Sequence, residues 1–303
     1  MPALRYAPEH RLDTRRTLSV LSRGGGDPTF RRDERGIWLT GRTAQGPATL
    51  LIASDPAQPG VLRCESWGPG ADALLATVPG LLGDGDDPSG FAPEHPLIRD
   101  LWRRYRGVRV IRTGRVFEAL APAVLEQKVT GREARSAWRF LVNKYGEPAP
   151  GPGPAALRIC PAPEVWARIP SWDWHRAGVD GNRSRTIIAA ARVADALERT
   201  LELESSAAIE AALRTVPGIG IWTAAEVAQR AHGDPDAVSV GDYHLAAHVG
   251  WALTGHRVDD ARMLELLEPY RGHRFRVTRL IELGVPKPPA FGPKLSPRSY
   301  ASI

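Results

Sequence analysis

The hydrophobic pattern of this chain changes its period near residue 92. Before that point short apolar runs alternate with turns, whereas after it apolar residues recur every three or four positions, as in Leu97, Leu101 and Tyr105. The predicted strands are residues 17–21, 37–40 and 49–53, and the predicted N-terminal helix is 71–78. We therefore predict an α+β fold, in which a small N-terminal domain with a β-sheet and a helix precedes an all-helical domain.

Turn-rich and proline-rich stretches divide the chain. Residues 83–90 (GDGDDPSG) are typical of a domain boundary, and residues 146–154 (GEPAPGPGP) are predicted to connect two helices. The predicted units are an N-terminal β-rich domain (1–92), a helical domain (93–284) and a basic, proline-rich tail (285–303).

The composition restricts the classes of partner and cofactor. The 303 residues include 40 Lys and Arg against 34 Asp and Glu, and most of these bases are arginine, which binds phosphate bidentately. The net charge of +6 suits nucleic acid binding, but an arginine-rich proteome gives the same balance. Cys64 and Cys160 stand apart from any metal-ligand spacing, which excludes a disulfide framework, a zinc knuckle and a four-cysteine iron–sulfur cluster.

The sequence carries no signal for a membrane. It contains no run of about 18 apolar residues, and its first residues (MPALRYAPEHRLDTRR) lack the apolar core of a signal peptide. We therefore expect a soluble, cytoplasmic protein without a membrane partner.

The segment 209–250 carries the strongest functional signal. A helical pattern at 209–214 is followed by VPGIG (216–220) and by a second helical pattern from Trp222 to Ala231. The two closely spaced glycines allow a tight hairpin and leave the N-terminal amides of the second helix free to bind an anion, such as a DNA phosphate. A simple helix cap is the alternative interpretation. About twenty residues further on, an apolar run leads to Asp242 at the start of another helix.

These motifs resemble a known family. The stretch LRTVPGIGIWTAAEVA followed by AVSVGDYHL resembles the helix-hairpin-helix DNA glycosylase superfamily. The upstream stretch VFEALAPAVLEQKVTGREARSAWRFLVNKYGE resembles the 3-methyladenine DNA glycosylase II branch. The resemblance covers residues 93–284, and residues 1–92 by pattern only. It implies a monofunctional glycosylase of base excision repair, which flips an alkylated purine such as 3-methyladenine out of duplex DNA and hydrolyses its glycosidic bond, leaving an abasic site.

The resemblance assigns roles to several residues. Asp242 falls on the catalytic aspartate, and Trp222 and Tyr270 fall on the base pocket. Strand-cleaving members of the superfamily have a lysine nucleophile where this chain has Trp222, so the chain is expected to leave the strand intact. Each residue also has a structural interpretation. Asp242 could be only a helix cap, and the two aromatic residues could be only core residues.

The resemblance also implies contacts with DNA and a cation. Lys128 stands where the branch inserts a hydrophobic wedge, and the neighbouring Gln127 could share that role. The predicted DNA contacts are Gly218, Ile219, Gly220, Thr223, Gln127, Lys128, Arg271 and Arg274. The carbonyl groups predicted to hold a monovalent cation are those of Arg214, Val216 and Ile219, and no other cofactor is expected. The implied protein is a monomer that associates with the nucleoid when bound to damaged double-stranded DNA.

The basic C-terminal helix leaves two interpretations open. Its arginines, and the basic residues of the tail, could form either a phosphate-binding edge or a solvated surface. These residues are Arg271, Arg274, Arg276, Arg279, Lys287, Lys294 and Arg298. Four other polar residues lack companion ligands at metal-binding spacing, and we interpret them as helix-surface or turn residues. They are His244, His248, Asp234 and Asp236.

Two other functions stay open at this stage. A non-catalytic DNA-binding protein would use the hairpin only as a clamp for the DNA backbone. A glycosylase for an oxidised or deaminated base is disfavoured by Trp222 and by the absence of cluster cysteines.

Overall fold

The computed structural model describes residues 2–289, and its N-terminal part is an antiparallel five-stranded sheet with the strand order β1-β5-β4-β3-β2. The strands are β1 (Ala3–Tyr6), β2 (Phe30–Asp33), β3 (Gly36–Thr43), β4 (Gly46–Ser54) and β5 (Leu62–Trp67). The strands predicted at 37–40 and 49–53 are confirmed as parts of β3 and β4. The strand predicted at 17–21 is wrong, because these residues form the end of helix α1 (Thr14–Leu18) and a 3₁₀ turn (Ser19–Leu21).

A local cap explains the helix in place of the predicted strand. The Asp13 side chain accepts a hydrogen bond from the Arg16 amide at 2.9 Å and so starts α1. An N-cap of this kind stabilises a helix by about 1 kcal/mol, which is enough to outweigh the weak strand preference of a five-residue segment.

Short helices cover one face of the sheet. The predicted helix at 71–78 is divided at Thr77 into α2 (Ala71–Ala76) and α3 (Val78–Leu81). Leu74 and Leu81 are fully buried against alternate residues of the central strands, such as Leu50. This core ends at Leu82.

The proline-rich connector covers part of the opposite face. It is flanked by a short strand pair, β6 (Glu147–Pro148) and β7 (Arg158–Ile159), and Leu157 packs with Trp38 and Leu51 of the sheet. A Cβ atom on Gly151 would lie 2.5 Å from the Trp67 ring, so the loop lies directly on the sheet. The predicted connector therefore also packs as part of the N-terminal unit.

The remaining described chain is helical, as predicted. The helices are α4 (Pro96–Arg104), α5 (Val116–Leu125), α6 (Gly131–Tyr145), α7 (Pro163–Trp166), α8 (Ser171–Arg176), α9 (Gly181–Arg192), α10 (Ala194–Glu198), α11 (Ser206–Leu213), α12 (Ile221–Val227), α13 (Leu245–Thr254), α14 (Asp260–Leu267) and α15 (Arg274–Gly284). A π-helical turn, Ala228–His232, extends α12. Among residues 2–289 no helix is long and apolar enough to cross a membrane.

The helices pack around two separate cores. The first core is built mainly from α5 to α12, and the second from α4 and α13 to α15. The segment after α12 passes from the first core to the second, and Asp242 lies on it. The domain boundary near residue 92 stays a prediction, and residues 290–303 of the predicted tail, with Lys294 and Arg298, lie outside the described residues.

Polar contacts join the sheet to the helices. Trp138 of α6 donates its indole N–H to Asp27 at 3.1 Å, and Thr40 of β3 donates its hydroxyl to the carbonyl group of Arg158 at 2.8 Å. Asp27 is completely buried. The buried Trp138–Asp27 bond therefore ties the N-terminal unit to helix α6, in addition to the connector.

A buried ion pair closes the second core. Arg276 of α15 and Asp86, from the stretch predicted as a boundary, form a two-pronged ion pair in which the side chains are 3% and 1% exposed. The Arg276 guanidinium also lies over the rings of Phe91 and Trp102. The predicted linker therefore supplies the counter-ion for a buried arginine.

We predict that Asp86→Ala lowers the free energy of unfolding by about 3 kcal/mol, because it leaves the Arg276 charge buried without a partner. Urea unfolding followed by circular dichroism would measure the loss. The control is Asp100→Ala, which breaks an exposed pair with Arg103 and is expected to cost less than about 1 kcal/mol. Equal losses in the two variants would contradict the prediction.

Candidate active site

The hairpin between α11 and α12 has the tight backbone that its glycines predict. Gly218 has a φ of +91°, and a Cβ atom there would lie 1.9 Å from the Thr186 hydroxyl oxygen. The Ile219 amide donates to the Val216 carbonyl at 3.1 Å, and both side chains are buried in the first core. Gly220 begins α12 with open space around it. The hairpin thus presents exposed backbone at Gly218 and Gly220 while its apolar side chains anchor it.

The loop between α5 and α6 is tied to this hairpin. Gln127 donates its side-chain N–H groups to the Gly218 carbonyl at 3.1 Å and to the Thr223 hydroxyl at 2.8 Å. Thr223 is only 2% exposed and its side chain helps to hold the hairpin, so its predicted contact with DNA stays a prediction. Lys128 is exposed with a φ of +55°, the one positive φ at a non-glycine residue in the described part of the chain. Gln127 therefore fixes the loop, and Lys128 forms its tip.

Asp242 lies beside Trp222, and its two carboxylate oxygens have different partners. Oδ1 accepts the amides of His244 and Leu245, at 2.8 and 2.9 Å, at the start of α13. Oδ2 accepts the indole N–H of Trp222 at 3.3 Å. The helix-cap and reactive-carboxylate interpretations of Asp242 are therefore compatible.

A buried network holds the Asp242 loop against α12. The Ser239 hydroxyl donates to Glu226 at 2.5 Å, and Gln229 donates to the Ser239 hydroxyl oxygen at 3.0 Å and to the Ala237 carbonyl at 2.9 Å. The Ser239 carbonyl in turn accepts the Asp242 amide at 3.2 Å. Glu226 and Gln229 were not singled out from the sequence. Their positions, four and seven residues after Trp222, place them on one face of α12, and this spacing is the signal that could have identified them.

A small polar cavity lies further along the same face of α12. Its volume is about 50 Å³, and its lining includes Arg23, Glu126, Glu226 and Arg230. Burial raises the pKa of the Glu126 carboxyl, while the charges of Arg23 and Arg230 act in the opposite direction. This volume suits a water molecule and not a purine, so the cavity is not a preformed base pocket.

Tyr270 lies in the second core. It is 9% exposed and packs near Phe91, with ring centroids 6.3 Å apart. Burial raises the pKa of its hydroxyl. These contacts support the structural interpretation, and the stacking role of Tyr270 stays a prediction.

The arginines of the last helical segment are neither a free phosphate-binding edge nor a simple solvated surface. All four form ion pairs. Arg271 pairs with Glu268, Arg274 with Asp236 and Arg279 with Glu282, in addition to the Arg276–Asp86 pair. Arg271 is well exposed, but Arg274 is held by both carboxylate oxygens of Asp236 and is 21% exposed.

Asp236 also holds the chain around Arg274. One of its carboxylate oxygens accepts the amides of Gly272 and Arg274, so it fixes the start of α15 from a turn, as predicted for a turn residue. In this structure Arg274 is held in an ion pair, and its contact with DNA stays a prediction. His248, predicted on the helix surface, is instead 3% exposed and lies 3.0 Å from the Val285 carbonyl.

We predict that Ser239→Ala loosens the segment that carries Asp242, because it removes the hydroxyl that joins this segment to Glu226 and Gln229. Amide hydrogen exchange of residues 240–245 is expected to become at least about tenfold faster, corresponding to the loss of about 1.4 kcal/mol of local stability. The control is Ser66→Ala, which removes a buried hydroxyl bond to the Thr49 carbonyl within the sheet. Equal exchange at 240–245 in both variants would show that the Ser239 bond does not hold the loop.

Comparisons with known proteins agree with this architecture. No protein-family model matches the chain. Curated relatives from two strains of Mycobacterium tuberculosis, CDC 1551 / Oshkosh and H37Rv, are each described as "Probable bifunctional transcriptional activator/DNA repair enzyme AlkA". Each is 33% identical over 153 residues, which is 50% of this chain and 30% of the relative. The match therefore spans under a third of the length of these curated relatives.

Solved structures of DNA glycosylases share the fold across most of the chain. A 3-methyladenine DNA glycosylase from Archaeoglobus fulgidus has a TM-score of 0.74 at 15% identity and covers 92% of this chain and 97% of its own. An 8-oxoguanine glycosylase/lyase from Clostridium acetobutylicum bound to double-stranded DNA has a TM-score of 0.67 at 12% identity, covering 90% and 91%. The Schizosaccharomyces pombe 3-methyladenine DNA glycosylase Mag1, in complex with abasic DNA, has a TM-score of 0.50 at 17% identity, covering 64% and 92%. The chain therefore has the fold of these DNA glycosylase structures, with an N-terminal sheet before the helical part.

Proposed function

We propose that this protein is a monofunctional DNA glycosylase of base excision repair that removes alkylated purines such as 3-methyladenine and leaves an abasic site. The observation that carries the proposal is the position of the Asp242 carboxylate. It is fixed at the passage between the two helical cores, beside Trp222 and on the segment that follows the hairpin helix. The similarity to the mycobacterial DNA repair enzymes supports a role in repair, and the similarity to two 3-methyladenine glycosylase structures supports the choice of lesion.

Asp242 can supply the main chemical requirement of this reaction. Breaking an N-glycosidic bond develops positive charge on the deoxyribose, and a carboxylate about 4 Å away stabilises it by about 4 kcal/mol at an effective dielectric of 20. That stabilisation corresponds to roughly a thousandfold in rate. The same carboxylate can orient the attacking water. Because an alkylated purine already carries positive charge, it leaves without a general acid.

The hairpin supplies the proposed contact with the DNA backbone. Gly218 and Gly220 are exposed, and no side chain caps the N-terminus of α12. A phosphate can therefore approach the first amides of this helix. The carbonyl groups of Arg214, Val216 and Ile219 are oxygen donors of the kind a hard cation prefers, and we propose that they hold a monovalent cation beside that phosphate. The Val216 carbonyl keeps a free lone pair after accepting the Ile219 amide.

The loop tip supplies the proposed wedge. Because both side-chain N–H contacts of Gln127 go to the hairpin, Lys128 is the residue available to enter the duplex. Its left-handed backbone costs roughly 1 kcal/mol relative to glycine, and such strain is concentrated at functional positions. We propose that Lys128 occupies the gap left by the flipped base and contacts a base edge or phosphate.

We predict that Asp242→Asn slows excision of 3-methyladenine by about a hundredfold or more while duplex affinity is retained, because only the charge is removed. Single-turnover excision with saturating enzyme measures the chemical step. The complementary variant is Gly220→Asp, which has open space for its side chain and places a negative charge where the phosphate is expected. Gly220→Asp should bind the duplex more weakly than wild type, and its single-turnover excision rate at saturating enzyme should be unchanged. Excision by Asp242→Asn within about threefold of wild type would contradict the catalytic role.

We also predict that the product strand stays intact until alkali is added and that borohydride traps no covalent adduct. A strand-cleaving enzyme forms a Schiff base through an amine. The sequence has only four lysines, namely Lys128, Lys144, Lys287 and Lys294. Lys144 is ion-paired with Asp173, and Lys128 is at the loop tip. A trapped adduct that disappears in Lys128→Ala would overturn the monofunctional proposal and make Lys128 the nucleophile.

A further inference from the structure

An unpaired basic surface follows the loop that is tied to the hairpin. Arg132, Arg135 and Arg139 occupy positions i, i+3 and i+7 of α6, which places them on one face of that helix. Lys128, Arg132 and Arg135 are exposed and Arg139 is half-buried. In the part of the chain that the structure describes, none of these four side chains forms an ion pair, which contrasts with the fully paired arginines of the last helical segment. We call these four residues the α6 basic face.

The acidic residues near this face are directed elsewhere. Glu133 accepts hydrogen bonds from the Thr130 amide and hydroxyl, in a capping box at the start of α6. The half-buried Glu126 carboxyl feels the charge of Arg135 without an ion pair to it. The four bases of the face therefore form no ion pair among residues 2–289, although Glu126 lies within electrostatic range of Arg135.

A glycine loop of the N-terminal unit lies beside the same face. Arg139 donates to the Gly25 carbonyl at 3.2 Å. A Cβ atom on Gly24 would lie 2.8 Å from the Arg135 side chain, so that side chain crosses directly over the loop. By contrast, a Cβ atom on Gly25 would have nothing within 4 Å. The loop thus contacts two of the arginines and is open at Gly25.

The spacing of the face matches a DNA strand. Arg132 and Arg139 are seven residues apart, so they are separated by about 10 Å along α6. Successive phosphates of one strand are spaced about 3.4 Å along the duplex axis, so this length corresponds to about three of them. The face begins directly after Lys128, whose neighbour Gln127 contacts the hairpin. A duplex bound at the hairpin therefore passes close to the start of α6.

We propose that the α6 basic face is a second contact with the DNA backbone, which binds consecutive phosphates of one strand beside the flipped nucleotide. The proposal rests on the proposed function in taking duplex DNA as the partner. It also gives the N-terminal unit a role, because the Gly24–Gly26 loop positions Arg135 and Arg139. The contact is electrostatic and independent of base sequence.

The test is the salt dependence of binding to an undamaged duplex of about 20 base pairs, measured by fluorescence anisotropy between about 50 and 200 mM KCl. In Arg132→Gln/Arg135→Gln the slope of log K against log[KCl] is expected to become shallower by about 1.8, since each lost phosphate contact removes about 0.9. At about 200 mM KCl, the affinity of the variant for the duplex should be about tenfold lower than that of wild type. The rate of single-turnover excision at saturating enzyme should be unchanged.

The matched control is Arg192→Gln/Arg199→Gln. Both residues are exposed and unpaired in the described chain, and they lie at the opposite end of α5, where Glu198 accepts the amides of Val116 and Phe117. This variant loses the same net charge, and its slope should match that of wild type. The proposal would be overturned by an unchanged slope in the α6 variant, by an equal change of slope in the control variant, or by the absence of duplex binding by wild type at low salt.

Two further measurements locate the contact and keep the test valid if the double variant is unstable. Neutral methylphosphonate linkages placed singly beside one abasic site should weaken binding by wild type at up to three consecutive positions, and they should have no effect on the α6 variant at the positions that Arg132 and Arg135 contact. If the double variant unfolds at lower temperature, Arg132→Gln, whose side chain has no partner in residues 2–289, carries the test with a slope change of about 0.9. A protein that excises no alkylated base but still shows the slope difference would refute the proposed function and leave this surface standing.

Discussion

The hydrogen bond from the Ser239 hydroxyl to Glu226 is the contact on which the geometry of the candidate site depends. Glu226 belongs to α12, which packs in the first core, whereas Asp242 precedes α13, which packs in the second. Without a link between them, the two cores would leave the distance between hairpin and carboxylate undetermined. Trp222, Glu226 and Gln229 provide that link from one face of a single helix. The same helix therefore presents the proposed phosphate site at its start and fixes the proposed catalytic residue through its side.

Charge alone was a poor guide to which arginines are free. The sequence shows a strongly basic C-terminal segment, and a phosphate-binding edge was one reasonable interpretation. Its acidic partners, Asp86 and Asp236, come from distant parts of the sequence and are recognisable only in the folded chain. The arginines of α6 showed no such concentration in the sequence. Their importance emerges from the absence of counter-ions within the described residues and from their position beside the hairpin.

Local sequence patterns predicted the strands and helices better than they predicted the contacts between side chains. The central strands, the helical part and the Gly218–Gly220 hairpin followed from periodicity and glycine spacing, because these signals are local. The helix at Thr14–Leu18 was missed because the Asp13 cap outweighs weak strand preference. The resemblance brought Trp222 and Asp242 forward together, and the structure places them in contact. It could not reveal that Thr223 is buried or that Gln127 is fully engaged with the hairpin, since both depend on long-range packing.

The buried contacts between the N-terminal sheet unit and the helices limit how this protein can be divided for study. Trp138 would lose its acceptor, Asp27, if the N-terminal unit were removed, and Leu157 would lose the apolar surface of Trp38 and Leu51. A truncated helical fragment would therefore leave the Trp138 N–H without its acceptor and expose the apolar connector, and exposed apolar surface of this kind favours aggregation. Aggregation of such a fragment would report the loss of these buried contacts and would carry no information about the chemistry of the hairpin.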